Sequence, residues 1–184
     1  MQREFGVSFG LPEPYTSELQ AFRERLGDPN AADIPPHVTL LGPTMLESDE
    51  LDPVEEHLRQ VAERCTPFFM HLRGSGTFRP TSPVVFVPLV QGIAECEQIE
   101  AAVRCGPLGR DVKFPYHPHV TVAHDVAESL LDEAFELLAS YDARFRVWGF
   151  TLFEKGEDGV WRPQRDFPFG VPLPGPVLPP EQAG

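Results

Sequence analysis

Hydrophobic and polar positions switch between two periods along the chain, and the switches divide it into elements. Glu4 to Gly10 is a short β-prone run ended by Gly10 and Pro12. From Tyr15 to Leu26 the period lengthens: Leu19, Phe22 and Leu26 fall at helical spacing, with Pro14 near the start and Gly27 at the stop. A polar loop from Asp28 to Pro36 leads into an expected strand, His37 to Leu41, closed by Gly42-Pro43. Ser48 can cap a helix from Asp49 to Cys65 that carries Leu51, Val54, Leu58, Val61 and Ala62 on one side, and Phe68 to Arg73 reads as a strand.

A Gly-rich loop over Gly74 to Pro80 then opens a second series. Val84 to Val90 is strongly β-prone, Ile93 to Val103 is a helix, and a loop from Cys105 to Pro118 precedes a strand from His119 to Ala123. A helix from Val126 to Tyr141 follows. Arg144 to Glu154 reads as one strand, with Val147, Trp148 and Phe150 expected mostly in the core. The Glu157-Asp158-Gly159 turn makes a hairpin with Val160 to Phe167. From Val171 on the chain has five prolines and almost no charge, so residues 171–184 are expected to form a mobile tail.

The order is strand, helix, strand, helix, strand, and then the same again, which is an internal duplication. It favours an α+β design: a bilobal pseudo-twofold duplication of two antiparallel sheet-plus-helix lobes around a central cleft. One domain is expected over residues 1–170, with lobes near 1–75 and 76–170 that can exchange strands.

The third element of each half opens with the same tetrapeptide, Pro36-His37-Val38-Thr39 and Pro118-His119-Val120-Thr121. Alternate side chains share a face of a strand, so each histidine points the same way as its threonine. An imidazole titrates near neutrality, and two of them across a phosphodiester can divide the work of base and acid. Each hydroxyl can donate to a non-bridging oxygen. The arrangement requires no metal and no cofactor. A lone His-x-Thr would read as a structural strand histidine; a matched pair in matching halves is a stronger signal. His117, His119, His124 and Asp125 offer a competing metal-ligand set, but the first motif supplies only His37. His57 and His71 read as structural or exposed.

Composition narrows the substrate. The 184 residues carry 15 Lys and Arg against 28 Asp and Glu, a formal charge of −13, with no basic stripe to grip a long phosphate backbone. The expected partner is therefore a small nucleotide or an RNA terminus, with no extended nucleic-acid surface. No apolar run approaches the roughly 20 residues that span a bilayer, and three cysteines fit no zinc spacing, so a cytoplasmic monomer with reduced thiols and no membrane partner is expected. Phe78, Arg79 and Tyr116 are candidate substrate contacts, by ring stacking and guanidinium–phosphate pairing; the alternative packs Phe78 in the core and leaves Arg79 solvated. Trp161 is open either way.

Through Pro36-His37-Val38-Thr39-Leu40, Pro118-His119-Val120-Thr121-Val122 and, less specifically, Gly76-Thr77-Phe78-Arg79-Pro80 before Val84-Val85-Phe86, the chain resembles the two-histidine phosphoesterases. Within them it is similar to the 2′-5′ RNA ligase-like proteins that act as RNA 2′,3′-cyclic phosphodiesterases. The resemblance implies a metal-independent mechanism, catalytic roles for His37 and His119 and phosphate-binding roles for Thr39 and Thr121, in RNA processing. The reaction expected is hydrolysis of a 2′,3′-cyclic phosphate or a 2′-5′ phosphodiester. Ligation of RNA ends, or a catalytically silent nucleotide-binding module, are the alternatives.

Overall fold

The computed structural model describes residues 2–109, 111 and 114–170, so the mobile tail expected over 171–184 lies outside the described residues. The strands are β1 (Arg3–Gly10), β2 (His37–Leu46), β3 (Phe68–Arg73), β4 (Gly76–Thr77), β5 (Val84–Gln91), β6 (His119–His124), β7 (Asp142–Val147), β8 (Gly149–Lys155) and β9 (Trp161–Pro168). The helices are α1 (Tyr15–Arg25), α2 (Leu51–Arg64), α3 (Ile93–Val103) and α4 (Glu128–Leu137).

One sheet has the order β2-β1-β8-β9. The other runs β4-β5-β3-β7. Phe86 of β5 pairs with Gly76 on one side and Thr121 on the other, which puts β6 on the edge of β5 opposite β4. Every pairing is antiparallel. The architecture is the expected α+β one, with two antiparallel sheets and four α-helices among the described residues, and each motif strand is hydrogen-bonded to the strand that opens its own half, β2 to β1 and β6 to β5.

The sheets do not follow the two sequence halves. β3, from the first half, pairs with β5 and β7, while β8 and β9, from the end of the chain, extend the sheet of β1 and β2. The helices cross in the same sense: α1 packs near β6 and α3 near β2. One apolar core runs through both sheets. Phe9 of β1 meets Phe68 of β3 edge-on at 5.8 Å, and Phe150 of β8 at 6.5 Å.

Two expectations about strand ends need correcting, and the second helix begins at Leu51 with Glu50, not Ser48, at its N-cap. Gly42-Pro43 does not close the first motif strand. Phe5 pairs with Thr44 and Val7 with Leu41, so Gly42 and Pro43 form a bulge within β2, which runs on to Leu46. Because β2 is an edge strand, Pro43 costs the ladder little. Arg144 to Glu154 is not one strand either. The chain leaves one sheet after Val147 and enters the other at Gly149, where a Cβ would lie 2.4 Å from the Phe167 carbonyl oxygen. The change of sheet shifts the inward parity, so Phe150 is buried while Trp148 is 58% exposed with the Arg146 guanidinium 4.6 Å over its ring. Among the described residues no helix is long and apolar enough to cross a membrane.

Candidate active site

His37 and His119 each open a strand, and alternation sets their faces. Val38, Leu40, Val120 and Val122 are buried, whereas His37, Thr39, His119 and Thr121 keep partial exposure on the opposite face. Both rings fold back over the preceding proline. Nδ1 of His37 lies 2.8 Å from the Pro35 carbonyl oxygen, and Nδ1 of His119 lies 2.6 Å from that of His117. A carbonyl can only accept, so each Nδ1 carries the proton and each Nε2 is the working nitrogen. Proline assists because it fixes its own φ, holds the residue before it extended and offers no competing N–H.

Beyond that shared device the two sites differ. Nε2 of His37 sits 3.1 Å from Oγ1 of Thr39, within hydrogen-bonding reach along the same strand. The His37 pKa is lowered to about 4, first by burial and also by the positive charges of Arg23 and His119, with the Pro35 bond opposing. Burial also lowers His119, with the His117 carbonyl opposing and the His117 ring assisting. Phe78 packs edge-on against the His119 ring at 4.9 Å and lies 4.3 Å from Phe86.

Two cavities receive these groups crosswise. One, of about 450 Å³, is lined by His37 from the first motif and Thr121 from the second, with Lys155 and Trp161. The other, of about 550 Å³, is lined by Thr39 and His119, with Phe78, Phe114 and Tyr116. Each of these two cavities thus takes a histidine from one motif and a threonine from the other, while a smaller one of about 130 Å³ is lined by His37 and Thr39 of the first motif together. A further cavity of about 480 Å³, lined mainly by α2 and α3 with His57 and Arg64 and, just beyond α3, Cys105, holds none of the motif residues.

Of the three candidate substrate contacts, Phe78 and Tyr116 line the cavity of His119. The Tyr116 hydroxyl is already used, donating to the Thr39 carbonyl at 2.9 Å. Arg79 lines neither cavity; its guanidinium lies 2.8 Å from Asp132 and 3.9 Å from Glu128 on α4. The residues weighed as a metal set divide, His117 and His119 lining one cavity, His124 and Asp125 the other. Among the described residues no group of three or more His, Cys, Asp or Glu is placed to hold a metal ion. His57 is half-buried with Nε2 3.1 Å from the Ala102 carbonyl, and His71 lies 3.1 Å from Asp142. Lys155 belongs to no motif, and Trp161 lines the cavity of His37. The terminal hairpin reaches the site only because β8 joins β1, which no local spacing announces.

The 2′-5′ RNA ligase superfamily model matches residues 11–159. A candidate phosphoesterase of Bacillus licheniformis is 28% identical over 170 residues, covering 91% of this chain and 99% of its own. One of Halalkalibacterium halodurans is 30% identical over 168 residues, covering 90% and 97%. Among solved structures, E. coli LigT complexed with 3′-AMP superposes with a TM-score of 0.68 at 18% identity over 92% of this chain and 99% of that one. A Thermus thermophilus protein gives 0.66 at 21% over 91% and 98%. At such identities these structures speak for the fold. The family match and the H. halodurans relative speak for descent, and on them the chain belongs to the 2′-5′ RNA ligase superfamily of two-histidine phosphoesterases.

Proposed function

We propose that this protein hydrolyses a 2′,3′-cyclic phosphate or a 2′-5′ phosphodiester of a small nucleotide or RNA terminus, by acid–base catalysis between His37 and His119 without a metal. The observation that carries the reading is the crosswise arrangement, in which each of the two larger motif cavities presents one imidazole and the hydroxyl of the other motif. A phosphate lying between the two strands meets a proton acceptor on one side and a proton donor on the other.

His37, held well below its ordinary pKa, is neutral at pH 7 and suits the general base. Its Nε2 takes a proton from water as the water oxygen bonds to phosphorus. The bond from phosphorus to the ribose oxygen breaks, and that oxygen receives the proton of Nε2 on His119. An anionic substrate raises the His119 pKa and so loads it with the proton it must give. Thr39 and Thr121 donate to the non-bridging oxygens, where charge grows in the transition state.

LigT has been crystallised with 3′-AMP, ATP, NADP+ and phosphate, which supports a small nucleotide as the ligand class here too. The strong negative charge supports the same limit on size. Cys65, Cys96 and Cys105 are unpaired, which suits a reducing, cytoplasmic setting.

The test incubates the purified chain in EDTA with nucleoside 2′,3′-cyclic phosphates and 2′-5′ dinucleotides. Turnover should survive chelation and vanish in His37→Ala and His119→Ala. Activity lost to EDTA and restored by a divalent cation, or binding with no turnover across the panel, would each overturn the proposal.

A further inference from the structure

We infer that Arg23, a buried arginine on α1, is a positioning residue for His37, setting the carbonyl that fixes which imidazole nitrogen works. The inference rests on the reading of His37 as a catalytic base.

Arg23 is only 4% exposed, and its guanidinium ties three points of the loop that leads into the first motif. Nε meets Asp28 Oδ2 at 3.0 Å, Nη2 donates to the Asn30 carbonyl at 2.9 Å, and Nη1 donates to the Ile34 carbonyl at 2.6 Å. Asp28 is buried as well, and its other oxygen accepts the Asn30 backbone N–H at 2.9 Å. Two outer ties complete the clamp: Gln20 Nε2 donates to the Ala31 carbonyl at 2.8 Å, and the Trp161 backbone N–H donates to that of Asp33 at 2.8 Å. A solvated loop needs none of this. A buried cation spending its donors on loop carbonyls indicates that the conformation of the loop matters.

The chain between clamp and histidine is stiff. Ile34 is followed by Pro35 and Pro36, whose rings fix two successive φ angles, and the proline after Ile34 restricts its backbone as well. Anchoring the Ile34 carbonyl therefore leaves little freedom in the Pro35 carbonyl, which accepts the Nδ1 proton of His37 at 2.8 Å. The ordered path is Asp28, Arg23, Ile34, Pro35, His37. Arg23 acts on His37 a second way, because its positive charge opposes the imidazolium.

Other groups also face His37. Asp28 and Asp33 lie in the loop, His119 and His124 on β6, Asp125 just beyond it, and Lys155 on β8. A substitution at Arg23 keeps all of these residues, although Asp28 and Asp33 shift with the loop it holds, so two substitutions are used to separate geometry from charge. Arg23→Lys keeps the charge and cannot span three acceptors. Arg23→Gln loses both.

The full-length protein and both variants are checked for folding by circular dichroism, then followed by ¹⁵N–¹H correlation of the imidazole rings and by kinetics on whichever nucleotide the wild type turns over. In the wild type both His37 and His119 should carry the proton on Nδ1. In Arg23→Gln, His37 should shift to a mixture of tautomers while His119 keeps its own. Its kcat should fall about 10- to 100-fold, by analogy with the loss when a group orienting a metal-bound imidazole is removed, with KM changed much less. The acid limb of its pH profile should move to higher pH. Arg23→Lys should show a smaller loss of kcat with the limb in place.

A folded Arg23→Gln protein with the His37 tautomer and kcat unchanged would overturn the inference. So would equal disturbance of both histidines, the mark of general loosening. Should Arg23→Gln fail to fold, Asp28→Asn and Arg23→Lys decide: unchanged tautomer and unchanged kcat in both would overturn it. The tautomer needs no substrate, so this result stands apart from success or failure of the proposed reaction.

Discussion

The Tyr116 hydroxyl donates a 2.9 Å hydrogen bond to the carbonyl oxygen of Thr39, joining the approach to the second motif to the strand of the first. Burial pushes its phenol pKa up, so the group remains a donor at any working pH. The bond ties together two segments 77 residues apart, in the wall of the cavity that His119 and Thr39 share. Tyr116→Phe keeps the ring and removes the bond. It should destabilise the protein by about 0.5–1.5 kcal/mol, read as a lower denaturation midpoint, and lower kcat several-fold by loosening Thr39. An unchanged midpoint would mean that water replaces the bond at no cost.

The depressed pKa of His37 makes a prediction about stability. Its ordinary value is 6.5 and its folded value about 4, so between these the unfolded chain binds a proton that the folded chain refuses. The contribution is complete above about pH 6.5 and is lost as pH falls toward 4, with a slope of at most about 1.4 kcal/mol per pH unit for one proton. His119 is shifted in the same direction and adds to the loss. Melting temperatures measured from pH 7.5 to 4.5 should fall less steeply for His37→Gln than for the wild type. Parallel curves would show that the folded His37 titrates normally.

The hydroxyls of Thr39 and Thr121 should matter in proportion to the charge that gathers on the phosphate. Removing one preorganised donor typically costs about 10²–10³ in rate, so Thr39→Ala and Thr121→Ala should each lose about 100-fold in kcat. The two Thr→Ser variants keep the donor and should stay within a few-fold of wild type. If the serine variants fell as far as the alanine variants, the methyl groups rather than the hydroxyls would be what the site uses.

What the sequence conveyed and what it hid follow from the range of each interaction. The helix Ile93–Val103 and the strand Phe68–Arg73 are legible because their signals, apolar spacing and β-branched or aromatic runs, lie within the segment itself. The paired motifs are legible because they recur. The bulge at Gly42-Pro43 imitates a strand end, since glycine and proline serve both. The break at Trp148-Gly149 is hidden because both flanks favour β-structure, and only the partner strands reveal that they belong to different sheets. Arg23, Lys155 and Trp161 line the cavity of His37 from other elements of the chain, and no spacing rule marks them. The carbonyls that hold each Nδ1 are invisible for another reason, being backbone groups that every residue carries.

The neighbours Phe78 and Arg79 should separate in their effects, because successive residues turn to different surroundings. Phe78 packs edge-on against the His119 ring and at a tilt against Phe86 in the wall of the cavity. Cutting it to alanine opens space beside the imidazole and removes a contact worth about 0.5–1.5 kcal/mol beyond its area. Arg79 instead reaches Asp132, an exposed carboxylate on α4, and a pair of this kind contributes about 0.2–1 kcal/mol. Phe78→Ala should therefore lower kcat/KM at least tenfold, whereas Arg79→Ala should leave it within about twofold while lowering the melting temperature slightly. Parallel assays of the two variants on one nucleotide check this directly. A large rise in KM for Arg79→Ala would mean that the guanidinium leaves Asp132 for the substrate phosphate.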